Sequence, residues 1–166
     1  MSVLKLVDLI RSQHFAFPAA SDSVLQSAGC RNVPSVLLDF YSACDGALIG
    51  EGDDFTAPDG RRFRLAIPRL RDLQTVQECG YIPNDSPLFA ESSMWWQVLD
   101  YGDGNCLAFD ATPEGKGRIL DTCHESVGTV GSHDVVATSL TDMLERVLAK
   151  GGVYWFDDDF TALGVV

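Results

Sequence analysis

The 166-residue sequence has no apolar run that approaches the roughly 20 residues a membrane-spanning helix requires. It also lacks the continuous apolar stretch of a secretion signal, because Lys5, Asp8 and Arg11 interrupt the first residues at every third position. We therefore expect a cytoplasmic protein that does not contact membranes. Hydrophobic residues make up 46% of the chain, which excludes a disordered protein, and the length predicts one domain over residues 1–166.

Cysteine pairs at the spacing of a zinc site are also lacking. The five cysteines are far apart and odd in number: Cys30, Cys44, Cys79, Cys106 and Cys123. The only close grouping of cysteine and histidine in the sequence is Cys123-His124, with His133 nearby. These residues are too few to form a closed zinc site. This pattern predicts buried free thiols and no disulfide framework. The longest glycine-rich stretch lacks the lysine of a phosphate-binding loop, so we expect neither a metal nor a cofactor.

Basic residues are scarce and unevenly placed. The chain contains 12 lysines and arginines and 24 acidic residues, which gives a net charge of −12. Residues 33–60 and 72–114 contain no lysine or arginine, whereas residues 61–71 contain five arginines and no acid. Such a charge repels nucleic acid and anionic membranes and attracts basic partners. Solubility alone is the alternative explanation for the acidic character.

Helical and strand-like patterns follow one another along the chain. Apolar residues repeat at helical spacing in residues 3–13, 22–28, 34–41 and 139–148, and a shorter helix is predicted over residues 70–76. Strand-like runs lie between the helices: residues 47–49, 54–57, 63–67, 95–101, 106–110, 118–122 and 135–136. The turn sequence Asp103-Gly104 between two of these runs predicts a hairpin. This order predicts an α+β fold, with a largely antiparallel mixed sheet flanked by helices.

Two adjacent tryptophans, Trp95 and Trp96, stand at the start of the predicted hairpin. Neighbouring residues on a strand point to opposite faces of the sheet. If one face is open, one tryptophan is an exposed aromatic of the kind enriched at binding hot spots. If helices or loops cover both faces, both tryptophans belong to the core. The sequence leaves both alternatives open.

One segment, Asp103-Gly104-Asn105-Cys106, resembles the signature of OTU-type cysteine proteases, in which the cysteine is the nucleophile. A catalytic thiol needs a nearby histidine and often lies at a helix N-terminus, which lowers its pKa. Cys106 instead begins a strand-like run, and His124 and His133 lack the aromatic residue that follows the family's histidine. We expect a hairpin turn and no catalytic residue, with a cysteine hydrolase using Cys106 as the alternative.

Several segments, taken in order, resemble motifs of the SUKH superfamily, specifically its Smi/Knr-like branch, named from yeast cell-wall assembly regulators. Val33-Pro34 through Phe40-Tyr41, closed by Asp45-Gly46, is similar to the family's Leu-Pro-x-x-Tyr-x-x-Phe helix, with Val36 or Leu37 where the family has Tyr. Residues 98–105 resemble the entry to the family's central hairpin, and residues 106–110 resemble the strand that follows it. Residues 121–125 are similar to the family's Trp-Asp-His-Glu strand end, but without the Trp. Residues 137–144 resemble its closing Ser-Phe-x-x-Phe-Leu helix.

The resemblance spans residues 33–148 and leaves residues 151–166 as a C-terminal extension. It implies an α+β domain without catalytic residues. Bacterial members of the family resemble immunity proteins that bind and neutralise a polymorphic toxin, often a nuclease or deaminase, and eukaryotic members resemble regulatory interaction modules. Because the chain is acidic, we expect binding of a basic toxin domain, with a regulatory protein-interaction module as the alternative. The oligomeric state stays open.

The residues expected to bind this partner are acidic side chains in turn-rich sequence and one aromatic anchor. Asp53, Asp54 and Asp103 lie in such turns, where side chains are usually exposed. Trp95 or Trp96 is the candidate anchor, because a buried aromatic commonly dominates the binding energy of an interface.

Overall fold

A computed structural model describes residues 2–50, 55–56, 62–102, 104–150 and 152–166, with the backbone alone at 55–56 and 62–63. The α-helices in these ranges are α1 (Val3–Gln13), α2 (Asp22–Cys30), α3 (Ser35–Ala43) and α4 (Leu140–Lys150). The strands are β1 (Phe15–Ala16), β2 (Ala47–Ile49), β3 (Phe55–Thr56), β4 (Arg62–Phe63), β5 (Leu65–Ile67), β6 (Trp95–Asp100), β7 (Cys106–Asp110), β8 (Ile119–Thr122) and β9 (Val135–Ala137). Short 3-10 helices occur at Leu70–Asp72, Glu91–Met94 and Tyr154–Phe156.

The helices form where the apolar period and a capping residue coincide. In α4, the Ser139 hydroxyl accepts a hydrogen bond from the Asp142 amide at 3.1 Å, which satisfies one of the free N–H groups of the first turn. Its buried stripe contains Leu140, Met143, Leu144 and Val147, as predicted, whereas Leu148, also predicted to be buried, is only half-buried. In α3, Pro34 caps the helix instead of occupying its first turn, because its ψ of 139° is extended.

Seven strands form one antiparallel sheet in the order β1-β2-β5-β6-β7-β8-β9. The expected hairpin is its centre, with Trp95 opposite Asp110 and Asp100 opposite Cys106. This arrangement confirms the predicted α+β class. None of the helices within the described ranges has the length and apolar character needed to cross a bilayer.

The single strand predicted at residues 63–67 is two strands. β4 pairs with β3 in a separate two-stranded sheet, whereas β5 pairs with β2 in the main sheet. The chain changes partner at Arg64, and this choice depends on contacts far away in sequence. The helix predicted at 70–76 is likewise reduced to one 3-10 turn, because the chain after Leu73 pairs with the start of β6. The Gln97 amide donates to the Gln74 carbonyl at 2.9 Å, and the Val76 amide donates to the Trp95 carbonyl at 2.7 Å.

Both faces of the sheet are covered. The main core lies between the sheet and α1, α3 and α4, and it includes Trp96, Phe109 and Leu144. A smaller cluster on the other face of the sheet contains Trp95, Ala108 and Leu120, packed with residues of the 76–88 and 127–135 segments. Side chains on the two faces of the sheet therefore belong to two separate apolar layers.

The C-terminal segment, predicted as an extension, packs onto the domain. Tyr154 and Trp155 are buried in the main core. Further on, the Leu163 amide donates to the Val135 carbonyl at 2.8 Å, and the Val166 amide donates to the His133 carbonyl at 3.0 Å. The chain's last residues therefore run along the free side of β9.

Candidate partner-binding surface

The β6–β7 hairpin carries most of the residues singled out by the sequence, at its two opposite ends. Trp95 and Trp96 begin β6 and face Asp110 and Phe109 on β7. At the other end, Asp100 and Cys106 flank the turn. The predicted anchor and the predicted acidic turn are thus separated by the length of the hairpin.

Both tryptophans are buried, which is the second of the two alternatives. Trp95 is 0% exposed and packs against the His133 ring, with ring centroids 5.2 Å apart. Trp96 is 5% exposed and lies in the main core. The expectation that one of them projects from an open face does not fit this arrangement, because loops cover the face that carries Trp95. Trp96 reaches the surface only as part of a cavity wall.

The three carboxylates predicted to meet a partner, Asp53, Asp54 and Asp103, lie outside the described residues. The turn that contains Asp103 is described on both sides of it. The Gly102 amide donates to the Asp100 side chain at 2.7 Å, and the His124 amide donates to the Asn105 side chain at 2.8 Å. The first hydrogen bond lies within the hairpin, and the second joins it to the segment that follows β8.

An exposed aromatic that the sequence analysis did not single out lies beside this turn. Tyr81 is 52% exposed, and its ring centroid is 6.2 Å from that of His124. Tyr81 also lines a cavity of about 220 Å³ together with Asp100 and Asn105. Its signal in the sequence is an aromatic residue placed between Gly80 and Pro83, in a turn-rich run where side chains are usually exposed.

We call this region the hairpin-turn surface and define it by Tyr81, Asp100, His124 and Glu125. All four are exposed, and two of them are acidic. Among the described cations, Arg64 approaches the turn, since its backbone lies beside Gly102. The surface therefore combines an aromatic side chain with an excess of carboxylates, the composition expected for binding a basic partner.

Most cations of the described residues already have an acidic partner. Two ion pairs are well shielded, Arg69 with Asp45 and Arg118 with Asp110, both at 2.9 Å. Exposed ion pairs occupy five further cations: Arg11, Arg31, Arg71, Arg146 and Lys150. Most positive charges of the described residues are therefore neutralised by a neighbouring carboxylate. The excess negative charge remains on other carboxylates at the surface.

Cys106, the candidate nucleophile, is inside the protein. Its Sγ lies 2.9 Å from the Thr122 hydroxyl oxygen, and burial raises the pKa of the thiol to about 12. The Nδ1 atom of His124 lies 2.8 Å from the Asn105 side-chain oxygen, so this nitrogen contacts the turn. These features oppose the thiolate that a cysteine hydrolase requires.

We expect iodoacetamide to alkylate Cys106 in the native protein at least about a hundredfold more slowly than an exposed thiol, because only the thiolate reacts. Cys30 is exposed and serves as the internal control in the same chain. Peptide mass spectrometry after timed alkylation measures both rates. Labelling of Cys106 as fast as that of Cys30 would support the hydrolase alternative.

No family model matches the chain. The chain is similar to immunity protein YokJ of Bacillus subtilis (strain 168), with 30% identity over 136 residues that cover 80% of this chain and 75% of that protein. An alignment over 136 residues covers most of the chain and therefore extends well beyond one shared motif. The chain belongs to the family of this immunity protein.

Proposed function

We propose that the protein is a non-catalytic immunity protein, which binds a cognate toxin domain and neutralises it by contact. The observation that carries this proposal is the 30% identity with immunity protein YokJ over most of both chains. The ordered motifs between residues 33 and 148 further support membership of the SUKH superfamily, Smi/Knr-like branch. The buried, protonated thiol of Cys106 supports a role without catalysis.

The charge distribution favours a basic toxin, such as a nuclease domain. The net charge is −12, and most described cations are held in ion pairs. A basic domain is attracted by such a surface and associates faster with it, whereas nucleic acid is repelled. The same attraction would let the protein occupy a surface that the toxin uses for an anionic substrate.

The hairpin-turn surface is the part of the molecule that we assign to this contact. In the sheet register, Ile49 at the end of β2 pairs with Leu65, and Ala66 pairs with Asp100 near the end of β6. β2 and β6 therefore end at the same edge of the sheet. In the sequence, Asp53 and Asp54 follow β2 and Asp103 follows β6, the two strands that end at this edge.

Charge reversal at Asp53 and Asp54, which follow β2 in the sequence, tests the proposal. The double variant Asp53→Lys, Asp54→Lys should associate with the purified neighbouring toxin domain about tenfold more slowly at low salt, because it loses electrostatic attraction. Raised salt should slow the wild type and reduce the difference between the two proteins. Stopped-flow or surface plasmon resonance measurements at two salt concentrations give these rates.

The matched control is Asp22→Lys, Asp39→Lys, which makes the same change in net charge at exposed positions of α2 and α3. Its association rate should fall less than that of the first variant. Equal slowing by both variants would mean that net charge acts without a local acidic surface. Association rates that change with neither salt nor charge reversal would rule out the acidic surface. Failure to bind any neighbouring toxin would rule out the immunity role.

A further inference from the structure

A cavity of about 640 Å³ opens at the end of the hairpin away from the hairpin-turn surface. Its apolar walls include Trp96, Phe109 and Met94, and its polar rim includes Arg31 and Lys116. Met94 is 38% exposed, so part of this apolar surface faces solvent. The volume is within the range of pockets that bind small molecules or short peptide segments.

The charge of this cavity is opposite to that of the protein. Its lining includes two cations and no carboxylate, in a chain with a net charge of −12. The Arg31 guanidinium lies 5.6 Å from the Trp96 ring centroid and pairs with Glu78, so its charge is already balanced. Lys116 has no ion pair among the described residues, and its charge is available to a ligand.

The loop that presents Lys116 is held by a buried carboxylate. Asp110 accepts hydrogen bonds from the Thr112 amide and hydroxyl and pairs with Arg118. The Lys116 amide donates to the Thr112 carbonyl at 3.1 Å, and the Gly117 amide donates to the Asp110 carbonyl at 2.8 Å. This loop is therefore rigid before any ligand arrives, which lowers the entropy cost of binding.

Two residues of the cavity lining, one after α2 and one after β7, have a backbone conformation that side-chain-bearing residues seldom adopt. Lys116 has a φ of 51° and Asn32 a φ of 60°. Such conformations persist only where the surrounding contacts impose them, and they are frequent at ligand-binding positions.

We propose that this cavity binds a segment of a partner protein in which an apolar side chain stands next to a carboxylate. The apolar side chain packs against Trp96 and Phe109, and the carboxylate meets the ammonium group of Lys116. Charge complementarity selects this occupant, because a basic segment would bring a like charge next to the ammonium group of Lys116. The inference goes beyond the proposed function, since it holds whether or not the partner is a toxin.

The test uses N-acetyl-L-phenylalanine and its neutral amide, N-acetyl-L-phenylalaninamide, in NMR titrations of the full chain. We expect the acid to bind about three- to tenfold more tightly than the amide, the gain of one charged contact at a partly exposed site. Shifts should be centred on Trp96 and Phe109. Lys116→Asn should remove the preference for the acid while keeping the fold, since Asn tolerates positive φ. Lys5→Asn, on an exposed part of α1, is the matched control and should keep the preference.

A second variant, Ser93→Trp, fills the cavity from an exposed rim position and should abolish binding of both probes. Equal affinity for acid and amide, binding that survives Ser93→Trp, or no shift up to the solubility limit of the acid would each overturn the proposal. Light scattering that reveals a dimer, converted to a monomer by Ser93→Trp, would assign the cavity to a second copy of the chain. None of these measurements requires a toxin, so they stand apart from the proposed function.

Discussion

Leu144→Ala is expected to lower the free energy of unfolding by about 2–5 kcal/mol, the usual cost of truncating a fully buried leucine. Leu144 is 0% exposed and lies at the centre of the α4 stripe, inside the main core. Truncation removes its apolar contacts and leaves a cavity that close-packed neighbours fill only in part. Urea unfolding followed by circular dichroism measures the change.

Leu4→Ala is the control for this prediction. Leu4 lies on α1 but is 65% exposed, so the same chemical change should alter stability by less than about 0.5 kcal/mol. A loss that small for Leu144→Ala as well would mean that α4 is a detachable element and not a part of the core.

Gly115→Ala is expected to lower the free energy of unfolding by about 3–5 kcal/mol, the range seen when a buried ion pair is broken. A Cβ atom at this position would overlap the carboxyl group of Asp110. Asp110 is 0% exposed, and its charge is balanced by Arg118 at 2.9 Å. The carboxylate must therefore leave its position, which breaks the ion pair and the hydrogen bonds that hold the loop.

Gly29→Ala provides the opposite case. Gly29 lies in α2, and a Cβ atom there would meet nothing within 4 Å. The substitution should raise stability by about 0.5–1 kcal/mol, because alanine loses less conformational freedom in a helix than glycine. Thermal or urea unfolding of both variants is the measurement. Similar effects of the two substitutions would contradict the tight packing of residue 115 against Asp110.

The elements that the sequence predicts correctly are those with a local physical cause. α4 has a helical apolar stripe and a capping serine within one segment, and the hairpin has two β-prone runs around an Asp-Gly turn. α1 and α2 also agree closely with their predicted ranges, because the helical spacing of their apolar residues specifies a helix face.

The features that the sequence does not predict depend on distant contacts. The break at Arg64 depends on whether β3 or β2 is the pairing partner, and this is a tertiary choice. The burial of both Trp95 and Trp96 requires the 76–88 segment to cover the second face of the sheet. Tyr81 becomes exposed because this same covering segment turns outward there. No single stretch of sequence encodes these arrangements.

The pairing of the last residues with β9 has a consequence for self-association. An exposed edge strand is a template on which another chain can add a strand, and this leads to aggregation. Here the backbone of Leu163 and Val166 occupies the outer side of β9 and the residues before it, while β1 at the opposite edge is only two residues long. The edges of the main sheet therefore present few free backbone N–H and C=O groups on which another chain could pair. A partner must be recognised by side chains, which can distinguish it from a close relative.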